Sequence, residues 1–212
     1  MNSVNQTASL LKTFAICCLL IGTASLILFK STLGGEAFTT ESLRRAEIAQ
    51  SPKMISTFEV TDLNNQKKYL KDIFLEDNKS YIVGFIYTNC ATYCAAQSSN
   101  FQQLQQKIDS RGLHDRVGLL SISFDPDHDS PEKVRSYAKK YQADEKIWKF
   151  SIAGKDNLRA QLFDQFGVIV IPAELGEFEH NSALLLVDKG GRIIRVFDDN
   201  QIDEALNQAI SL

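Results

Sequence analysis

Apolar and polar positions alternate along this chain in three distinct regimes. From Thr13 to Phe29 the residues are uncharged and mostly apolar, bounded by Lys12 and Lys30. At 1.5 Å per residue this run spans about 25 Å as a helix, close to the thickness of a bilayer core, and it predicts a membrane anchor. A cleaved signal peptide competes with that reading, because Gly35-Glu36-Ala37 loosely fits a small-x-small cleavage site, although the apolar run is longer than most signal h-regions. Residues 1–12 form a short tail. Residues 30–54 are polar with mixed charge and only a weak helical pattern around Glu41 to Ile48, which predicts a linker.

The third regime, residues 55–212, carries alternating strand and helix signals. Phe58 to Asp62 alternates as a strand does, and Asn64-Asn65 and Lys68-Tyr69-Leu70 follow as a turn and a return. Tyr81 to Tyr87 is almost continuously apolar, as expected for a strand covered on both faces. Phe101, Leu104 and Ile108 then recur at helical spacing, and Val117 to Phe124 is a second buried strand. Ser130-Pro131-Glu132 is a helix start, with Tyr137 and Tyr141 on the apolar side of that helix. Trp148 to Ile152 predicts a short strand, and Leu158, Leu162, Phe163 and Phe166 another amphipathic helix. Ala183 to Val187 and Arg192 to Phe197 are strands joined by the hairpin signal Asp188-Lys189-Gly190-Gly191, and a helix runs from about Asn200 to Ile210. The order βαβαβαββα predicts one α/β domain, a mixed sheet with helices on both faces.

Composition narrows the function. A chain of 212 residues with 44% hydrophobic content can bury one sizeable core. Its formal charge of −3 leaves no basic surplus for neutralising phosphates, and no arginine-aromatic stripe appears, so nucleic acid is not an expected partner.

Four cysteines occur, of which Cys17 and Cys18 lie inside the apolar run and read as small apolar side chains against lipid. Cys90 and Cys94 stand alone in the remaining domain, where an apolar strand gives way to a helix. A thiolate at a helix N-terminus is favoured by the unpaired backbone N–H groups and the dipole, which makes it a ligand or a nucleophile. Three intervening residues make a wider loop than a redox C-x-x-C, one that lets both sulfurs face a single ion, and soft thiolates select Cu(I) or zinc. Two cysteines, reduced or bridged, with no ligand at all are the plainer alternative.

Three stretches together resemble the Sco/SenC family. Its Y-T-x-C-P-x-x-C-P turn is matched by Tyr87-Thr88-Asn89-Cys90-Ala91-Thr92-Tyr93-Cys94-Ala95, its D-P-x-x-D-[ST]-P-E loop by Asp125 to Glu132, and its carboxylate-His-Ser run by Glu179-His180-Asn181-Ser182 before the Asp188-Lys189-Gly190-Gly191 turn. The resemblance covers residues from about Thr57 to Leu212. It implies a thioredoxin-like fold with a central mixed β-sheet flanked by helices, and a membrane-tethered copper-binding protein that assists assembly of the copper centre of cytochrome c oxidase. It maps the copper ligands to Cys90, Cys94 and His180, holding Cu(I), with Cu(II) also open. Both motif prolines are alanine here, Ala91 and Ala95, which leaves the turn less stiff.

His180 then gains meaning as the imidazole of a low-coordinate site, with Glu179 available as an acceptor for its ring N–H, and Ser182 stands where redox relatives of this fold carry proline. The other histidines carry no such expectation. His128 sits in an acidic loop whose spacing fails the calcium-loop pattern at Ser130 and Ser136, and His114 lies in an ordinary surface turn. Two functions remain open: a metallochaperone passing copper to the copper-bearing subunit of an oxidase, or to another copper or thiol protein, and a thiol–disulfide oxidoreductase using Cys90 and Cys94 without copper transfer. Either suits a domain in the bacterial periplasm tethered to the inner membrane, or the mitochondrial intermembrane space. The arginine-free first twelve residues favour the bacterial case.

Overall fold

The computed structural model describes residues 2–32, 34–35, 37–90, 93–173, 177–181 and 183–212. The chain divides into two compact units between Glu47 and Ile48. In the first, α1 (Asn2–Ser31) contains a stretch, Leu10–Ser31, that is long and apolar enough to cross a membrane. Its 22 residues give about 33 Å of helix, longer than the apolar run alone predicts. The helix α2 (Thr40–Gln50) starts at a reciprocal cap, in which Thr39 N–H donates to Ser42 Oγ (2.9 Å) and Ser42 N–H to Thr39 Oγ1 (3.0 Å). Glu41 pairs with Arg44 (2.7 Å) and Arg45 (2.8 Å) one turn on, so the weak helical pattern in this polar stretch does become a helix.

In the second unit, Ile48–Leu212, the strands in chain order are β1 (Lys53–Met54), β2 (Glu59–Asp62), β3 (Lys67–Tyr69), β4 (Ser80–Ile86), β5 (Val117–Ser123), β6 (Trp148–Ala153), β7 (Val170–Pro172), β8 (Phe178–His180), β9 (Leu184–Val187) and β10 (Arg192–Phe197). Among the described residues, eight of them form one sheet in the order β1-β10-β9-β4-β5-β6-β2-β3. The central β4, β5 and β6 are parallel, with Ser80 opposite Val117 and Leu119 opposite Trp148, while β9 lies antiparallel on β4. Every residue of β4 and β5 is buried, which is why both read as unbroken apolar runs.

The helices are α3 (Leu70–Asp77), α4 (Tyr93–Ser110), α5 (Pro131–Lys140), α6 (Leu158–Gln161) and α7 (Ile202–Ile210). Alternation along β4 sends Gly84 toward Phe101 of α4, whereas Tyr81 meets Phe74 of α3 (5.3 Å between centroids) and Phe85 meets Phe166 (5.0 Å). Layers on both faces follow from that alternation. Ser130 caps α5, its side chain accepting from Lys133 N–H (3.4 Å), with Pro131 at the first position as expected.

Two elements differ from the sequence expectation. The amphipathic helix expected over Leu158 to Phe166 is a short α-helix followed by a π-helical turn, Leu162–Phe166, closed by Gly167 at φ +65. The wider turn keeps Leu162 and Phe166 buried and sends Phe163 outward, 59% exposed. The hairpin of β7 and β8, which pairs Val170 with His180 and Ile171 with Glu179, has no counterpart in the sequence expectation.

Candidate functional site

The parallel strand β4 ends at Ile86, and the chain turns through Thr88 and Asn89 into α4, where Tyr93 and Cys94 form part of the first turn. Cys90 is half-buried and packs against the core, its N–H reaching Tyr87 O at 3.4 Å. Residues 91–92, and with them Ala91, lie outside the described residues, as do the side chain of Cys94 and the whole of Ser182. The backbone of Cys94 does stand at the helix N-terminus, where unpaired N–H groups favour a thiolate.

The acidic loop after β5 braces this turn. The carboxylate of Asp129, itself buried, accepts from Thr88 N–H (3.0 Å), from the Thr88 hydroxyl and from the Ser123 hydroxyl. Asp125 is buried as well and contacts His128 Nδ1 at 2.9 Å, and Asp127 pairs with Lys155 at 2.7 Å. His128 is thus held at the surface by a carboxylate, in keeping with an acidic loop that ends in a helix cap.

His180 closes β8 and reaches the same region from a distant part of the chain. Its ring meets Phe124 edge-on at 5.0 Å and Tyr87 at 6.3 Å, and both ring nitrogens are buried. Phe178 completes the aromatic group, 5.2 Å from Tyr87 and 5.6 Å from Phe124, and its N–H donates to the Tyr87 hydroxyl at 3.3 Å. Asn181 ties the end of β8 to the segment that leads into β7: its Nδ2 donates to Gly167 O (2.9 Å) and its Oδ1 accepts from Ile169 N–H (2.6 Å). Desolvation pushes the His180 pKa down, outweighing a backbone hydrogen bond at Asn181 and the charge of Asp199, both of which raise it. The imidazole is therefore held toward its neutral, ligating form.

Glu179 does not act on that ring as the sequence led one to expect. Neighbours on a strand face opposite sides, and Glu179 is exposed on the far face of the hairpin. The carboxylate whose charge reaches His180 is Asp199, in the loop between β10 and α7. Two side chains of α4 hold that loop: Gln97 Nε2 donates to Asp199 Oδ1 (3.4 Å) and Asn100 Nδ2 to Asp199 O (2.7 Å). No motif in the sequence marks Asp199, because its charge reaches His180 from a loop that α4 holds only in the folded chain.

The structure brings Tyr87, which precedes Cys90 by three residues, into ring contact with His180. Among the described residues no three side chains of His, Cys, Asp or Glu gather closely enough to hold a metal, the Cys94 side chain lying outside them.

Comparison with known proteins matches this architecture. The SCO1/SenC family model covers residues 46–211. The SCO1 protein homolog of Bacillus subtilis (strain 168) is 28% identical over 147 residues, covering 66% of this chain and 74% of the relative. A SCO1/SenC family lipoprotein from Bacillus anthracis superposes with a TM-score of 0.68 at 24% identity, over 77% of this chain and 98% of that one. Yeast Sco1, crystallised with copper bound, superposes with a TM-score of 0.62 at 17% identity, over 76% and 91%. These likenesses identify the fold as thioredoxin-like, with the central mixed sheet and flanking helices described above. With the family model spanning nearly all of the second unit, the chain belongs to the SCO1/SenC family.

Proposed function

We propose that the protein is a membrane-tethered copper-binding metallochaperone, in which the thiolates of Cys90 and Cys94 and the imidazole of His180 hold Cu(I) and release it to the copper-bearing subunit of cytochrome c oxidase or to another copper or thiol protein. The observation that carries this reading is the placement of His180. A half-buried histidine, both of whose ring nitrogens are shielded from solvent, packs on Tyr87 and Phe124, beside the turn that holds Cys90. Two soft sulfurs and one neutral nitrogen make a low-coordinate donor set suited to Cu(I), whereas oxygen-preferring cations would favour carboxylates. Copper bound to yeast Sco1 supports the same ion for this chain. The helix Leu10–Ser31 supports a membrane tether, and an oxidising periplasmic location suits a thiol pair that must cycle.

The test is an anaerobic Cu(I) competition titration on the detergent-solubilised, reduced chain carrying Cys17→Ser and Cys18→Ser. Binding at one copper per chain should disappear in Cys90→Ser/Cys94→Ser. His180→Ala should weaken it about tenfold or more, the scale of loss when a metal site is disturbed. Equal affinity in His180→Ala and parent would remove His180 from the ligand set. Absence of binding in the parent would favour the thiol–disulfide oxidoreductase, whose working property is the potential of the Cys90/Cys94 pair.

A further inference from the structure

The acidic loop does more than begin a helix. Asp129 is 5% exposed, and its carboxylate gathers three donors from two other segments: Thr88 N–H, the Thr88 hydroxyl and the Ser123 hydroxyl. Its own N–H donates to Asp125 O at 2.8 Å, and Ser123 Oγ in turn accepts from Asp125 N–H at 3.2 Å, so the acceptor is itself fixed at the end of β5. Two of the three donors belong to Thr88, two residues before Cys90. A buried carboxylate with several directed donors holds its partners strongly, because losing one leaves a charged oxygen short of a bond. The turn needs such a hold. Within it the hydrogen bond from Cys90 N–H to Tyr87 O is long at 3.4 Å, and alanines stand where the family pattern has the two stiffening prolines.

We propose that Asp129 is a positioning residue for the cysteine turn: through Thr88 it fixes the segment that carries Cys90, and so sets how readily the Cys90/Cys94 pair closes into a disulfide or onto an ion. A segment already held in place loses less freedom when its sulfurs are brought together. Without the clamp the open dithiol gains more entropy than the closed ring does, so both closures weaken. The inference rests on Cys90 and Cys94 being the working pair, and it holds for either functional reading.

The redox closure is measured against glutathione. Two electrons pass from the Cys90 and Cys94 sulfurs to the S–S bond of oxidised glutathione, one disulfide forms as the other breaks, and the two thiol protons end on two reduced glutathiones. The experiment uses the detergent-solubilised chain with Cys17→Ser and Cys18→Ser, comparing Asp129→Asn, Thr88→Val and Thr88→Ser with Tyr137→Phe. The last breaks the buried Ser98–Tyr137 hydrogen bond (2.7 Å) and serves as a stability control that leaves the hydrogen bonds between Asp129 and Thr88 in place. Thr88→Val keeps the side chain's shape and removes only the hydroxyl. It should lower the equilibrium constant for disulfide formation about threefold or more and the Cu(I) affinity about tenfold. Asp129→Asn should do the same, Thr88→Ser should stay near the parent, and Tyr137→Phe should lower Tm while leaving both constants unchanged. Constants in Thr88→Val no different from those of Tyr137→Phe, at equal loss of Tm, would overturn the clamp. If the parent takes up no Cu(I), the copper reading fails and the glutathione constant alone decides the clamp.

Discussion

Desolvation keeps the imidazole of His180 neutral over a wider pH range than a solvated ring, so its lone pair stays available where an exposed histidine begins to protonate. The same balance of burial against partners runs the other way at Asp77, the last residue of α3. Burial pushes its carboxyl up, but hydrogen bonds from Lys149 Nζ and the Tyr81 hydroxyl, with the charges of Lys149 and Lys79, outweigh it and leave the pKa below the usual aspartate range. A depressed native pKa means that the ionised form stabilises the fold above the unfolded-state pKa, and that this contribution is lost as pH falls through the native value. Asp77→Asn should therefore lower Tm near neutral pH, with the gap to the parent closing as pH falls from about 4, the unfolded aspartate's range, through the depressed native value. A gap that stays constant over that range would show that the charge of Asp77 contributes nothing. Neither this ion pair nor the clamp at Asp129 was legible in the sequence. Lys149 lies 72 positions from Asp77, and Thr88 lies 41 from Asp129, separations that no local pattern encodes.

The central strand shows how closely an element is matched to its neighbours. An added Cβ at Gly84 would stand 2.9 Å from the Phe101 ring, itself buried and packed on Trp148 at 5.5 Å, so α4 lies on β4 at a distance only glycine permits. Gly84→Ala should cost about 1–3 kcal/mol through overpacking, read as a lower denaturant midpoint at an unchanged slope. An unchanged midpoint would mean that the α4 interface can shift freely. Buried strands and capped helices were readable because their signals are local: β4 and β5 as apolar runs, α5 through Ser130 and Pro131. The hairpin of β7 and β8 was not, because each strand has three residues and one face of β7 leaves Ile171 exposed. The π-helical turn leaves no local signal for a related reason, since a shift in helical period moves Phe163 from the core face to solvent without any change in composition.

For the molecule as a whole, the fold of the second unit reaches into sequence that reads as a tether. Lys53 and Met54 pair with Ile193 and Arg192 at the edge of the sheet, and Ile48 and Ile55 are buried in its core. Burying an isoleucine contributes about 1.5–3 kcal/mol, so losing both removes a substantial part of the 5–15 kcal/mol that typically holds a domain together. A fragment beginning at Ala46 should unfold at a clearly higher temperature than one beginning at Ser56. Equal Tm values for the two would show that this segment adds nothing to the core.

Local pattern was enough to establish the apolar helix, the buried parallel strands, the cysteine turn at the start of α4 and, through three matched motifs, membership of the SCO1/SenC family. Such features depend on residues within a few positions of one another, where periodicity, capping and turn chemistry act. The setting of the site was decided by folding: the aromatic group that desolvates His180, the substitution of Asp199 for Glu179 as the carboxylate near it, and the Asp129 brace on Thr88. Each depends on segments that meet only once the sheet has formed, because packing between distant elements, rather than the order of residues within any one of them, fixes which side chains share a low-dielectric space.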